Sequence, residues 1–510
     1  MPDKLCPKCG QPLYKDGFDI PFETFLGFAG NKEPDIDLNF SGDEQNIAQN
    51  YVEVIFGKGQ TFKAGTIGTV ADKTAYGYAM HYFEDKGITK KRCELERLSA
   101  GCVGVRRTTG QHPGGVIVLP KGMDINWFTP VQHPANDVNS PFITTHFDYH
   151  SIDTNLLKLD ILGHDDPTII RMLQDLTGTD PHKVPLDDKG VLSLFSGTEA
   201  LGIKPEDIDG CELGTLGVPE FGTNFVIGML KQTKPKTFSE LIRISGLSHG
   251  TDVWLNNAQY YIEKGYCTLP TSICCRDDIM LELINKGLDK EHSFKIMESV
   301  RKGRGLTPEQ EKEMREHGVA DWYIESCLKI KYMFPKAHAA AYVMNAFRIA
   351  YYKINYPLAY YAAYFSIRCK TFNYEHMCQG REKLEYYADE IKKNPDPSPK
   401  DVAELDDMRL VREMYARGFE FEPLDLYKAQ ATRCQIVDGK IMPALNSITG
   451  LGDTQAVALE EEAKKGPFLS KDDLRERAHV SKSIIDEMEE YGILKDIPES
   501  NQISLFDLAK

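Results

Sequence analysis

Residues 34–40 read Pro34-Asp35-Ile36-Asp37-Leu38-Asn39-Phe40, and residues 157–163 read Leu157-Lys158-Leu159-Asp160-Ile161-Leu162-Gly163. Both stretches alternate polar and apolar residues, the period of a β-strand. In a strand Asp35 and Asp37 share one face while Ile36 and Leu38 take the other. Lys158, Asp160 and Leu162 likewise share a face, with Leu157, Leu159 and Ile161 behind it. Carboxylates on one sheet face repel each other unless a cation lies between them, and hard oxygen ligands of this kind suit Mg²⁺. Three carboxylates holding two metal ions can activate a 3′ hydroxyl, clamp a triphosphate and stabilise a leaving pyrophosphate, and a lysine beside them can neutralise triphosphate charge. Exposed strands with solvated acids would give the same pattern. Asp165 and Asp166 compete for the third ligand position, but they follow Gly163-His164 and read as the cap of a helix beginning near Pro167.

Outward from these strands, the chain up to about residue 165 is rich in Gly, Thr and short β-type runs such as Gly114-Gly115-Val116-Ile117-Val118-Leu119, a sheet-based α+β region. Lys73 to Ser99 has few β-branched residues, which predicts a mostly helical insertion in that sheet. Helical signals dominate from Pro167 to about Ile367. Three prolines between Lys392 and Lys400 predict a loop or linker leading to a third domain of short helices and hairpins, followed by a polar tail from Asn501 to Lys510. A length of 510 residues agrees with about three domains.

A composition of 41% hydrophobic and 27% charged residues excludes wholesale disorder, collagen and coiled-coil classes. The longest apolar run, Ile354 to Ile367, is interrupted by Pro357, so no membrane span is expected; the first residues lack the apolar core of a secretory signal. A cytoplasmic location follows as the expectation. Twelve scattered cysteines do not form a dense disulfide framework, and reduced thiols are expected. The net charge of −16 opposes long-range attraction to nucleic acid, yet Lys58 to Lys121 holds eleven Lys or Arg against five Asp or Glu. That stretch is either a phosphate-facing surface or a plain solvated face.

Further candidates lie along the chain. Arg301-Lys302-Gly303-Arg304 gathers three cations around a glycine, and Phe334-Pro335-Lys336-Ala337-His338 places Lys336 and His338 in the first turn of a helix. Such groups could grip phosphates. Aromatic residues further along that helix, Tyr342, Phe347, Tyr351 and Tyr352, read as core. Gly101 to Gly115, which includes Arg106 and Arg107, is basic and glycine-rich and could bring backbone close to a nucleic-acid strand, or be a turn cluster. Ile448-Thr449-Gly450-Leu451-Gly452 opens a helix near Asp453, the pattern of a helix-hairpin-helix whose amides hold a DNA phosphate, although a plain turn fits as well. Gln502-Ile503-Ser504-Leu505-Phe506 is an apolar peptide in a polar tail, suited to docking in a partner's groove. His146, Asp148 and His150 alternate onto one strand face, which would suit Zn²⁺ or Mn²⁺ and a metal-dependent phosphohydrolase. Cys6 and Cys9 form half of a zinc knuckle with no second Cys-x-x-Cys in the chain.

Taken together and in order, Pro34 to Phe40, Lys158-Leu159-Asp160, Arg301 to Arg304, Lys336 to His338 and Gln502 to Phe506 resemble the PolC-type DNA polymerase III α subunit over essentially the whole chain. The resemblance implies a DNA-directed DNA polymerase with an α+β fold. Its parts would be a polymerase β-like nucleotidyltransferase palm (17–66 and 113–165), an inserted helical thumb (67–112), large helical fingers (166–367), a helix-hairpin-helix duplex-binding domain (368–495) and a clamp-binding tail (496–510). Residues 1–16 would be the remnant of a zinc-binding segment, with Zn²⁺ held only together with upstream ligands. The resemblance implies Asp35, Asp37 and Asp160 as catalytic ligands of two Mg²⁺ ions, and Lys158, Arg301, Arg304, Lys336 and His338 as contacts to the incoming nucleotide. It implies Arg106, Arg107, Gly450 and Gly452 as DNA contacts and Gln502, Leu505 and Phe506 as clamp contacts. Primer-template DNA, dNTPs, the sliding clamp and other replisome subunits are the implied partners, with no membrane. The family's exonuclease, PHP and OB regions would precede this segment, so the chain reads as a C-terminal polymerase portion. A non-catalytic DNA- or clamp-binding remnant and the phosphohydrolase are the alternatives.

Overall fold

The computed structural model describes residues 5–11, 20–30, 32, 34, 36–134, 137–140, 142–152 and 156–500. Two compact units emerge: Gly30–Thr168, and Ile169–Lys510 together with Met1–Ala29. The whole is α+β, as expected.

The first unit is built on a six-stranded mixed sheet. Its elements in chain order are β1 (Ile36–Ser41), α1 (Gln45–Phe56), β2 (Thr61–Thr69), α2 (Asp72–Asp85), α3 (Arg92–Ala100), β3 (Arg106–Val118), β4 (Val131–Gln132), β5 (Thr144–Asp148) and β6 (Leu157–His164). The spatial order is β1-β6-β3-β2-β5-β4, with β1 parallel to β6 and β3 antiparallel to both of its neighbours. The period-two pattern of β6 divides as its sequence requires: Leu159 and Ile161 are buried with Val116, Val118 and Val52, the last supplied by α1 packed on that face. On the opposite face Ala64, Ile117, Leu119, Ile125, Ile152 and Leu156 form a second small core. Helices α2 and α3 occupy the connection between β2 and β3 and pack on each other. The strands extend to Thr69 and resume at Arg106, so the helical part is shorter than the range 67–112.

β3 carries Pro113 in mid-strand, where a missing N–H breaks the ladder. The register shifts across Lys63 and Gly65, and side chains complete what the backbone leaves open. Gln45 and Gln49 donate to the carbonyls of Pro113 (2.9 and 3.1 Å) and Ile161 (2.8 and 3.3 Å). Lys63 in turn donates to Gln49 Oε1 at 2.8 Å. A Cβ at Gly114 would meet Leu162 Cδ2 at 2.6 Å and the Ile161 carbonyl at 3.0 Å, so only glycine lets β3 lie this close to β6.

The second unit is helical around one continuous core running from Ile169 to Leu494. The helices that matter below are α4 (Phe238–His249), α5 (Arg276–Asn285), α6 (Lys290–Arg301), α7 (Lys336–Asn355), α8 (Pro357–Ile367), α9 (Arg381–Lys393) and α10 (Pro399–Ala416). Then follow a hairpin of β7 (Gln435–Val437) and β8 (Lys440–Met442), and α11 (Asp453–Lys465), α12 (Lys471–Ala478) and α13 (Lys482–Glu490). α7 stops at Tyr356 because Pro357 cannot continue it and opens α8 instead. The apolar run around α8 is core: Tyr360, Tyr361 and Phe365 are buried. Among the described residues no helix is long and apolar enough to cross a membrane.

The proline-rich stretch is a loop over residues 394–398, as the sequence suggests, but it joins two helices of one core and leads to no separate domain. Pro399 is the first residue of α10, Ser398 and Asp401 form its capping box, and α9 and α10 pack on each other across a short turn. Lys353 on α7 and Glu413 on α10 are fully buried as an ion pair at 2.9 Å, and Lys353 also donates to the carbonyls of Gly214 (2.8 Å) and Leu216 (2.5 Å). The two stretches expected as fingers and duplex-binding domain thus share one core.

Candidate functional site

The parallel pairing of β1 with β6 sets Asp37 directly beside Asp160, and the antiparallel pairing of β6 with β3 sets Gly115 on the other side of Asp160. Neighbouring strands lie about 4.8 Å apart, so the two carboxylates stand side by side on the face turned away from Leu159 and Ile161. Lys158 is on the same face, its Nζ 3.1 Å from Asp160 Oδ2 and 5.0 Å from the Tyr149 ring centroid. Asp35 lies outside the described residues.

Asp160 Oδ1 is buried and has no hydrogen-bond partner among the described residues. His112 Nδ1 is 3.8 Å away, but that nitrogen already accepts the N–H groups of Gly115 (2.7 Å) and Gly114 (3.2 Å). It therefore presents a lone pair, and the contact with Asp160 is no ion pair. An orphaned carboxylate oxygen beside a second carboxylate is costly as it stands, and a hard divalent cation is the group whose chemistry satisfies that oxygen and offsets the paired negative charge. The donor set fits Mg²⁺. Among the described residues no three His, Cys, Asp or Glu side chains converge as a metal site.

A second locus lies within the helical unit. Lys336 opens α7, and its N–H donates to the buried Asp277 on α5 at 2.7 Å, while Thr24 Oγ1 donates to the same carboxylate at 3.1 Å. Burial pushes the Asp277 carboxyl above its ordinary pKa, against the pull of that N–H and of Arg276. The Met333 N–H donates to the Arg301 carbonyl at 3.1 Å, and Gly303, at φ +70°, lies against the Lys331 carbonyl where a side chain would collide. The turn 301–304 and the lead into Lys336 and His338 are thereby stitched together. Arg301 is held by Glu298 at 2.5 and 3.0 Å in a two-pronged pair and is largely buried, whereas Arg304 is exposed. His338 lies between Phe334, on which it stacks, and Tyr342, whose ring is tilted 48° to it, with ring centroids 4.6 Å from each. Asp277 and Glu298 are missed by sequence reasoning, since only the fold brings Asp277 to the start of α7.

Arg106 and Arg107 are exposed at the start of β3, with Arg107 5.7 Å over the Tyr78 ring of α2. Gly450, at φ +81°, and Gly452, the N-cap of α11, are exposed on either side of buried Leu451. The turn at His479-Val480-Ser481 repeats the plan: Val480 is buried and Ser481 caps α13. Cys6 is half-buried and Cys9 exposed, and hydrogen bonds from the Cys9 and Lys8 backbone and the Cys9 side chain lower the Cys6 thiol pKa. Gln502, Leu505 and Phe506 lie outside the described residues. The strand alternation read through His146, Asp148 and His150 ends at Asp148, where β5 gives way to a 3₁₀ turn that begins at Tyr149. His146 Nδ1 instead pairs with Gln132 Oε1 at 2.6 Å.

Three family models match this chain. The bacterial DNA polymerase III alpha NTPase domain matches residues 11–91 and 79–163, the bacterial DNA polymerase III alpha subunit finger domain matches 166–321, and a helix-hairpin-helix motif matches 418–503. The chain is 57% identical over 507 residues to the DNA polymerase III PolC-type of Caldanaerobacter subterraneus subsp. tengcongensis, covering 99% of this chain and 36% of the relative. It belongs to the PolC-type DNA polymerase III family. The PolC-type polymerases of Bacillus subtilis (56%) and Clostridium perfringens (55%) match over the same 99% of this chain and 35% of their own length. The chain thus spans about a third of the curated relatives it matches. The NTPase-domain match ends at residue 163 and contains the paired carboxylates, while the finger-domain match contains Arg301 and Arg304.

Proposed function

We propose that this chain carries the nucleotidyl-transfer centre of a DNA-directed DNA polymerase that extends a primer 3′ end on a template during chromosome replication. The observation that carries the reading is the Asp37–Asp160 register with its orphaned, buried Asp160 oxygen. The family assignment supports it.

In this reading the six-stranded sheet is a polymerase β-like palm, α2 and α3 are the thumb, and the helical unit supplies fingers and the duplex-binding helix-hairpin-helix. Asp37 and Asp160, joined by Asp35, would hold Mg²⁺. When bound, the metal lowers the pKa of the primer 3′ hydroxyl and neutralises charge on the triphosphate and leaving pyrophosphate. Lys158 orients the Asp160 carboxylate through its Oδ2 and adds positive charge where the triphosphate approaches. Lys336, Arg304 and His338 contact the incoming dNTP, and Arg301 joins them by exchanging Glu298 for a phosphate. Exposed amides around Gly450 and Gly452 hold a duplex phosphate independently of sequence, with Arg106 and Arg107 giving further backbone contacts. Gln502, Leu505 and Phe506 are proposed to dock on the sliding clamp, and a zinc ion at Cys6 and Cys9 would need two further ligands.

Primer extension with Mg²⁺ and four dNTPs tests the centre. Asp37→Asn and Asp160→Asn are expected to lower extension at least about a thousandfold, the scale on which metal-centred charge stabilisation acts, while duplex affinity changes little. Extension surviving in the double variant would overturn the assignment. Duplex binding with no extension by the folded wild type would favour the DNA-binding remnant.

A further inference from the structure

Glu220 sits in a conformation that its residue type disfavours. Its φ is +68°, in the left-handed region natural to glycine, in a turn fixed by buried Val218 and Phe221 on either side. A non-glycine residue held there is a reservoir of strain, and such residues persist where the side chain is needed. The carboxylate meets His249 Nε2 at 3.0 Å, with both side chains mostly buried.

His249 is the last residue of α4, and its Nδ1 is 2.7 Å from the Ser245 carbonyl. A carbonyl only accepts, so Nδ1 donates there and Nε2 donates to Glu220: the ring is an imidazolium. A cation at a helix C-terminus is further favoured by the helix dipole. Burial alone would lower the His249 pKa, but Glu220 raises it above the ordinary histidine value. Burial likewise acts to raise Glu220, and His249, Arg368 and His338 together bring it below the ordinary glutamate value. The imidazolium ring lies edge-on to His338 with centroids 5.4 Å apart, 5.9 Å from Phe334 and 6.0 Å from Tyr342. It thus touches every member of the stack that holds His338 in the first turn of α7.

We propose that Glu220 and His249 are positioning residues for nucleotide capture: their ion pair, braced by a strained turn, locks the Phe334–His338–Tyr342 stack and so fixes His338 for the incoming dNTP. The inference rests on the reading that His338 contacts the nucleotide. Neither Glu220 nor His249 touches substrate in this scheme.

The test measures dNTP affinity on the full chain bound to a primer-template whose primer ends in a dideoxynucleotide, so that no turnover is needed. Glu220→Gly relieves the backbone and removes the brace. The expected result is dNTP binding about tenfold weaker, as for a site left loose by loss of its support, with the chain still folded at the assay temperature and primer-template affinity unchanged. Glu220→Gln, which keeps a hydrogen-bond acceptor, should recover part of the loss, and Glu220→Gly with His338→Ala should bind no more weakly than His338→Ala alone. If His338→Ala weakens dNTP binding and Glu220→Gly does not, the positioning role is overturned while the nucleotide reading stands. If His338→Ala has no effect, both fall. A Glu220→Gly variant that loses stability in step with affinity would assign the pair to folding and overturn the proposal as well.

Discussion

Lys353→Met isolates the electrostatic staple at the centre of the helical unit. Lys353 spends all three ammonium protons inside the protein, on Glu413 and on the carbonyls of Gly214 and Leu216. Methionine keeps most of the side-chain volume, so the substitution removes charge and donors without opening a large void. Glu413 is left fully buried with the Tyr361 hydroxyl, at 2.7 Å, as its remaining side-chain donor among the described residues. Removing one partner of a fully buried pair costs about 3–5 kcal/mol, because the other charge stays desolvated. Glu413→Gln should cost a similar amount for the converse reason. The double variant Lys353→Met, Glu413→Gln buries no charge and should be less destabilised than the sum of the singles by at least about 2 kcal/mol. Urea unfolding followed by tryptophan fluorescence reads this out in a Trp127→Phe background, leaving Trp254 and Trp322, both in the helical unit. A single-variant cost below about 1 kcal/mol, or strict additivity in the cycle, would refute the reasoning, since either would mean the pair is effectively solvated.

Two further outcomes follow from the geometry. The raised His249 pKa makes its contribution fully present below the unfolded value of 6.5 and lost as pH rises through the folded value above it; the lowered Glu220 pKa makes its contribution present above 4.5 and lost as pH falls through the folded value below. Wild type should therefore lose more stability than His249→Gln between about pH 6 and about pH 8.5, measured by the urea midpoint, with Arg368 and His338 unaltered as the other charges acting on Glu220. Equal slopes would rule the pair out as a source of pH dependence. Gly114→Ala should destabilise the sheet unit by about 1–3 kcal/mol, because its methyl group would meet the Ile161 carbonyl at 3.0 Å as well as Leu162. Unfolding followed at Trp127 checks it, and an unchanged midpoint would show that β3 and β6 separate at little cost.

What the sequence reveals of the sheet unit is local periodicity. The alternation in β1 and β6 is written residue by residue, so the division of Asp37, Lys158 and Asp160 from Leu159 and Ile161 is legible. That Asp37 pairs with Asp160 is not, because register between strands more than a hundred residues apart is set by topology. Gln45, Gln49 and His112 are illegible for a related reason: they serve backbone groups left open by a broken ladder. Pro113 before Gly114-Gly115 is the one local signal that such a break exists. Alternation also misleads where a strand ends early, as Tyr149 shows for His150. Composition gives the loop at Pro395 and Pro397 but not where it leads: it reports local backbone preference, while the capping box of Ser398 and Asp401 and the packing of α9 on α10 turn the chain straight back into the same core.

Charge shows the same difference between counting and placement. An excess of six positive charges from Lys58 to Lys121 in a chain of net −16 suggests a phosphate-facing surface. In the fold those cations are not equivalent. Arg92 pairs with Glu96 and Arg97 with Glu94 along α3, while the ammonium of Lys63 donates to Gln49 and lies 4.0 Å over the Phe142 ring. Burial lowers the Lys63 pKa. Arg106 and Arg107 stand exposed where β3 begins, beside the helices inserted between β2 and β3. Exposed pairs such as Arg92–Glu96 are weak and can exchange an internal carboxylate for a phosphate at small cost, whereas Lys63 would have to surrender its role in closing the gap at Pro113. The cations open to an outside partner are therefore fewer than the count of eleven, and Lys63 belongs to the architecture that holds β3 against β6, and with it Gly115 against Asp160.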